Sequence, residues 1–376
     1  MRILKILAVI LAVLGAASFL YCCYMLFFWR VWPGPGGIDI ALRHEDVKYF
    51  FQPGPFYGVR RFSVYPPASY VMLWPLVGWA PSPGYAKVAI AFQYLLLIPT
   101  VVWVGTKISE AKSRRHILIL AGLVFTNIGL GICVKNGQIS IHILLLVLAA
   151  QFTQSWPIAA ICLTLAMVKP TIAVPFYLLM LLNRRGQVAA IASAILYAAI
   201  TFLYKPYPGY DAWNSLAQWR MTLSYDEQYV SYGDLNTLVR SLNHPEWLTS
   251  VSVAAILIFG LLLYRLRRAE PIFLFALTAT FARIWGYHRV YDDILLFPLA
   301  FLLLRESFVN PKSKETWLAA CFFLANLNIQ VISLHYPIIR QPNEYLRIFA
   351  ATLASAWLLG MAWRQARASS GFPESA

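Results

Sequence analysis

The run ILAVILAVLGAASFLYCCYMLFFW, residues 6–29, decides the class of fold. It holds no charged residue, and Arg2 and Lys5 stand just in front of it. A bilayer is crossed by about 20 apolar residues, whereas the apolar region of a secretory signal runs to about 7–15. The segment therefore reads as a retained transmembrane helix with its N-terminus in the cytoplasm. Only the small residues Gly15-Ala16-Ala17-Ser18 speak for a cleaved signal. The rest of the chain has the same character. Of 376 residues, 60% are hydrophobic, 15% aromatic and 12% charged, against about a quarter charged in a soluble domain. Mean hydropathy is +0.61. A soluble enzyme, a disordered chain and a small disulfide scaffold are excluded.

The formal charge is +15. The basic residues sit in small clusters between apolar runs, as membrane anchors do, which argues against a nucleic-acid partner. The five cysteines, Cys22, Cys23, Cys133, Cys162 and Cys321, lie inside apolar runs without CxxC spacing. They read as small buried hydrophobes.

Residues 30–66 follow the first run as a polar stretch rich in Gly, Pro, Tyr and charge. A short apolar piece, 67–80, precedes a full span, 85–106, which ends at Lys107, Lys112, Arg114 and Arg115. Similar basic clusters occur at Arg184-Arg185, Arg265/Arg267/Arg268, Arg305/Lys312/Lys314 and Arg364/Arg367. Placing all of them in the cytoplasm fixes the parity and makes 67–80 a juxtamembrane or re-entrant helix. Further spans are expected near 117–134, 139–154, 156–168, 170–182, 187–204, 250–264, 271–287, 291–304, 316–335 and 344–363. The expected fold is an all-α polytopic membrane protein of about 12 transmembrane helices, with both termini cytoplasmic. The pair meeting at Lys169-Pro170 admits a second reading, one broken helix, which changes the count by one. Residues 1–364 form a single integral membrane domain with outer loops at 30–66 and 205–249, and 365–376 a short cytoplasmic tail. Eleven of the sixteen acidic residues then fall outside and five inside. Polar chemistry gathers on the non-cytoplasmic face.

Three constellations there can carry chemistry. The first loop offers Asp39, His44-Glu45-Asp46, Arg60-Arg61 and Tyr65. A carboxylate held against the membrane just after a transmembrane helix suits a general base, and Asp39, Glu45 and Asp46 all qualify; ordinary solvated acids are the plainer alternative. Lys169 sits between two apolar runs, where a lysine is costly unless it faces a cavity and an anionic partner, such as a phosphate. Snorkelling to the interface competes with that reading. Near it in type, Asn136-Gly137-Gln138 marks a turn between spans. The third group is Arg283, His288, Arg289, Asp292 and Asp293, a set able to clamp a phosphate or to neutralise itself. No HxH, HExxH or DxD pattern points to a metal, and no GxGxxG, P-loop or GxSxG points to a cofactor or a hydrolase. Outer-side aromatics such as Trp213, Trp219 and Tyr225 either stack on sugar faces or belong to the interfacial belt.

Taken in order, these segments resemble a family. Gly54-x-x-Tyr57, then Val64-Tyr65-Pro66-Pro67 and Leu73-Trp74-Pro75-Leu76, look like the opening of glycosyltransferase family 87. Asn136-Gly137-Gln138-Ile139-Ser140 resembles its Gly-Gln turn, Val168-Lys169-Pro170-Thr171 its Lys-Pro segment, and Tyr291-Asp292-Asp293-Ile294 its late Tyr-Asp motif. The resemblance implies the C-type glycosyltransferase fold and a polyprenyl phosphate-linked sugar donor, mannose in the family, used on the outer face of a bacterial plasma membrane. It implies no cofactor, and as partners the donor lipid and a lipid or glycan acceptor. Asp39 matches the family's base by its distance from Gly54 and Tyr57, and His288 lies where relatives carry a histidine. The chain departs from the family at Ala41-Leu42-Arg43, where relatives have a tyrosine, and Glu45-Asp46 compete for the base role.

On this reading Asp39 is the catalytic base, while Lys169, Arg289 and Arg60 bind the donor phosphate. His288, Asp46, Gln138, Tyr65 and Asp292 position substrate. A transporter or flippase for a lipid-linked or anionic substrate is the rival class. It predicts symmetric halves with broken helices at the midplane, whereas this chain has one large loop after its first helix and polar groups on one side.

Overall fold

A computed structural model describes residues 2–28, 36–59, 64–225, 234–286, 288–327 and 337–369. Among these residues there is no strand, only an isolated antiparallel bridge between Asn127 and Leu327. In chain order the helices are α1 (Arg2–Phe28), α2 (Ile38–Phe50), α3 (Phe56–Val59), α4 (Pro67–Leu73), α5 (Pro83–Ile108) and α6 (Arg114–Phe125). Then come α7 (Ile128–Asn136), α8 (Ser140–Phe152), α9 (Trp156–Ala166), α10 (Pro170–Met180), α11 (Arg184–Leu203) and α12 (Ala212–Tyr225). The last are α13 (Leu235–Ser241), α14 (Leu248–Arg265), α15 (Pro271–Trp285), α16 (Phe297–Val309), α17 (Lys314–Ala325) and α18 (Pro337–Ala368). A π turn, Trp74–Gly78, extends α4, and a 3-10 segment, Val290–Leu296, leads into α16.

Among the described residues, five helices are long and apolar enough to cross a bilayer by length and composition: α1, α5, α11, α14 and α18. A sixth arises if α7 and α8 count as one span, though they bend by 114° at their junction. The helices α9, α10 and α15 are apolar but shorter. The chain is thus an all-helical integral membrane protein. The apolar piece 67–80 forms only α4 and its π turn. Both polar loops carry structure: α2 and α3 in the first, α12 and α13 in the second.

The expected span 117–134 is interrupted, and the cause is local. The Thr126 hydroxyl donates to the carbonyl of Gly122, and the Asn127 side chain accepts from the backbone N–H of Leu130, ending α6 and capping α7. The freed backbone is satisfied by the Ile128 N–H donating to the Asn326 carbonyl at 2.8 Å. An interruption at this depth needs such a partner, because lipid supplies none. The cysteines also differ from expectation: Cys22 and Cys133 are buried, but Cys321 is exposed on α17.

The chain packs as two compact units, one of residues 1–22, 98–133 and 231–376, the other of 23–97 and 134–230. In the first, α15 and α16 are buried on almost every face, as apolar helices hydrophobic all round must be. Small residues let α1 and α6 cross closely. A Cβ on Gly122 would lie 2.8 Å from the backbone of Leu11, and one on Gly15 2.9 Å from Cβ of Phe125. In the second unit, the Thr164 and Tyr177 hydroxyls both meet Ser193 Oγ, at 3.0 and 2.6 Å, tying α9, α10 and α11 together.

Gly122→Ala is expected to destabilise the protein by about 1–3 kcal/mol through overpacking. Gly360→Ala, whose Cβ would meet nothing within 4 Å, should stabilise helix α18 by about 0.5–1 kcal/mol. Denaturation of the two variants in matched detergent micelles reads both signs.

Candidate functional site

In the second unit, the polar residues singled out in the sequence converge on one turn. Asn136 ends α7, Gly137 takes φ +71°, and Gln138 and Ile139 lead into α8. The left-handed glycine is required twice over, since a Cβ there would stand 2.6 Å from the Ile40 side chain on α2. A second left-handed glycine, Gly37 at φ +68°, starts α2, and its N–H donates to the Lys135 carbonyl at 2.8 Å. The start of α2 is thereby pinned to the turn.

This fixes Asp39 in the first turn of α2, where the unsatisfied backbone N–H groups favour a negative charge. Gln138 Nε2 donates to Asp39 Oδ2 at 2.5 Å. The Tyr94 hydroxyl donates to the Gln138 carbonyl at 2.6 Å and holds the other side of that residue. Two residues on, Ser140 Oγ accepts from Lys169 Nζ at 3.3 Å. Lys169 is 7% exposed and occupies the break between α9 and α10, where it precedes Pro170. The breaks 137–139 and 167–169 therefore share one polar cluster, with a carboxylate on one flank and an ammonium on the other. Lys169 does not snorkel to solvent.

One turn along α2, Arg43 pairs with Asp46 at 2.9 Å and lies over the Tyr65 ring, 4.8 Å from its centroid. Burial works to lower the Arg43 pKa, but the attraction of Asp46, with smaller contributions from Tyr70, Tyr65 and Asp39, outweighs it and leaves the guanidinium above its ordinary value. Asp46, 2% exposed, is thus engaged by Arg43, and Tyr65 supports the same cation. Arg43 was not a candidate from sequence. Its i+4 spacing from Asp39 becomes meaningful only once 38–50 is a helix. An aromatic cluster backs α2: Phe50, Phe56 and Tyr70 have ring centroids 4.8–5.3 Å apart. The Tyr57 hydroxyl donates to the Tyr65 carbonyl, and burial pushes its pKa up. The Trp219 indole N–H donates to the Val64 carbonyl, so Trp219 anchors the loop, whereas Trp213 is exposed and packs on Phe202.

His288, Arg289 and Asp292 belong to the first unit. His288 is fully buried, its Nδ1 3.1 Å from Asp292 Oδ2, and its backbone N–H donates to Asp234 Oδ2 at 2.9 Å. Asp292 Oδ2 also accepts from the Arg289 N–H. The carboxylate orients the imidazole by accepting a hydrogen bond from Nδ1–H, which favours the tautomer with its lone pair on Nε2. Asp234, which also caps α13 through the Thr237 N–H, had no sequence signal, since its partner is 54 residues away. Glu45 lies on α2. Arg60 lies outside the described residues, as does the side chain of Tyr225. No group of three or more His, Cys, Asp or Glu able to hold a metal occurs among the described residues.

Arg43→Met is expected to cost about 3 kcal/mol, because it leaves the buried Asp46 carboxylate without its partner. The Arg43→Met/Asp46→Leu pair should lose less than the sum of the single changes. A double-mutant cycle by denaturation checks this.

The model of glycosyltransferase family 87 matches residues 63–285, more than half of the chain. Tyr65, Gln138 and Lys169 fall within the match; Asp39, Asp46, Arg60, His288, Arg289 and Asp292 fall outside it. No curated protein and no solved structure matches the chain. An all-helical membrane chain that carries this family's pattern over more than half its length is a membrane glycosyltransferase: the chain belongs to glycosyltransferase family 87.

Proposed function

We propose that the protein is an inverting transferase that moves mannose from a polyprenyl phosphate-linked donor to a hydroxyl of a lipid or glycan acceptor. The reading includes the C-type fold with about 12 spans, both termini in the cytoplasm, and catalysis on the outer face of a bacterial plasma membrane. The observation that carries it is the single turn, 136–140, that has Asp39 bound to Gln138 and Lys169 bound to Ser140.

In this proposal Asp39 removes the proton from the acceptor hydroxyl as its oxygen attacks C1 of the sugar from the face opposite the phosphate. The C1–O bond to the phosphate breaks, and its electron pair leaves on the phosphate oxygen. Lys169, with Arg289 or Arg60, balances the charge that grows there. Gln138 keeps the Asp39 carboxylate aimed, and His288, oriented by Asp292, positions phosphate or acceptor. Tyr65 and Asp46 act through Arg43, which sets the field on the Asp39 side of α2.

Membranes containing the chain are expected to transfer radiolabelled mannose from polyprenyl phosphate mannose into lipid. Asp39→Asn should lower kcat by about 10²–10⁴-fold, the usual contribution of a general base, with donor binding retained. Lys169→Ala should raise the donor KM instead. An Asp39→Asn enzyme of full activity beside an inactive Asp46→Asn would move the base to Asp46. Failure with every polyprenyl-linked sugar, in folded protein, would turn the reading toward a transporter.

A further inference from the structure

Lys87 is the single charged residue in the apolar run 85–106. A lysine in such a run is costly and calls for a named partner. Near the end of a span it could reach solvent by snorkelling, but this one stays half-buried and donates from Nζ to the Gly36 carbonyl at 2.5 Å. Its stem presses on the next residue as well, since a Cβ on Gly37 would stand 2.9 Å from Lys87 Cε. Gly36 is held from its other side by α1, where a Cβ would lie 1.5 Å from the Met25 carbonyl oxygen. Lys87 thus fixes the residues from which α2, and with it Asp39, begins.

Tyr94 lies seven residues further along α5, two helical turns, and so on the same face as Lys87. It is 1% exposed, and its hydroxyl donates to the Gln138 carbonyl at 2.6 Å. The two ends of the Gln138–Asp39 hydrogen bond are therefore tethered to one side of one helix: the α2 end through Lys87, the turn end through Tyr94. Gln93, beside Tyr94, adds a further link, with its Oε1 2.8 Å from His142 Nε2 on α8, one turn beyond Gln138.

A bond that aims a carboxylate does so only if both of its ends are fixed. A general base must stand within about 2.6–3.2 Å of the proton it takes, and a displacement of about 1 Å from a change remote from the chemistry can cost about 10²-fold in rate. Residues that lock the groups around a reacting side chain supply that precision. Lys87 and Tyr94 bond to backbone carbonyls, so each sets a segment in place and leaves the Asp39 carboxylate itself to react.

We propose that Lys87 and Tyr94 are positioning residues for Asp39: one face of α5 holds the carboxylate and Gln138 in register, and loss of either tether slows turnover without weakening donor binding. The proposal rests on the reading of Asp39 as general base. Lys87→Met and Tyr94→Phe keep the bulk of each side chain and remove its donor. With the full-length protein in nanodiscs and radiolabelled polyprenyl phosphate mannose as donor, each should lower kcat by about tenfold or more and leave the donor KM within about twofold. Placed on Asp39→Asn, neither should lower kcat further, because the base they hold is already gone. Amide hydrogen exchange should quicken at 36–40 in Lys87→Met and at 136–140 in Tyr94→Phe, and stay unchanged elsewhere. Full kcat in both variants beside an inactive Asp39→Asn would overturn the proposal and leave the transferase reading standing. Losses that add to that of Asp39→Asn would mark a general structural role and overturn it too, as would a lowered kcat with exchange unchanged at both segments. An unaltered chain that transfers no sugar from any polyprenyl-linked donor would overturn the transferase reading, and the proposal with it.

Discussion

A backbone N–H or C=O inside a bilayer must find its partner within the protein, and this requirement organises the whole chain. Most apolar runs meet it as helices. Where a run breaks, the freed groups and the polar side chains that satisfy them collect at the break. Asn127 stops one helix, caps the next, and has the Asn326 carbonyl beside it for the Ile128 N–H. The breaks at 137–139 and 167–169 do the same with Gln138, Ser140 and Lys169. Broken helices are costly in lipid, and each of these three is closed by polar side-chain contacts.

Charge follows the same logic. The buried ionic groups are shared rather than isolated: Asp46 with Arg43, Asp292 with His288 and the Arg289 N–H, Asp293 with two arginines. Asp39 differs. It accepts from a neutral amide of the 136–140 turn, and it stands at the start of a helix. Its carboxylate is oriented by an amide, with the Arg43 guanidinium one turn along the same helix contributing a weaker attraction. Asp46, clamped by a guanidinium, is suited to structure.

How far the sequence was legible depends on the range of each interaction. Apolar runs, basic anchors and Gly-turn chemistry act over a few residues, so the membrane class, the all-helical fold, the turn at 136–138 and a lysine set between two apolar runs at Lys169 could be read directly. The break at Thr126-Asn127 could not, because the run around it is apolar enough for one span and the carbonyl that compensates it, that of Asn326, is 198 residues from the Ile128 N–H it accepts from. Arg43 was passed over because 30–66 read as a loop, in which an i+4 relation has no meaning. Asp234 and Arg347 gave no signal: each matters only through a partner 54 residues off.

The sequence by itself determined the solvent this chain lives in, the character of its helices and the residue types available for chemistry, since composition and short-range patterning set those. Tertiary structure alone decided which charges meet. It brought Gln138 to Asp39 by joining the start of α2 to the 136–140 turn through a pair of left-handed glycines, and Ser140 to Lys169 by setting that turn beside the 167–169 break. It also set two arginines from different helices on one aspartate. Hydrogen bonds and ion pairs reach only a few ångströms, and nothing in local pattern says which distant segments packing will bring within that distance.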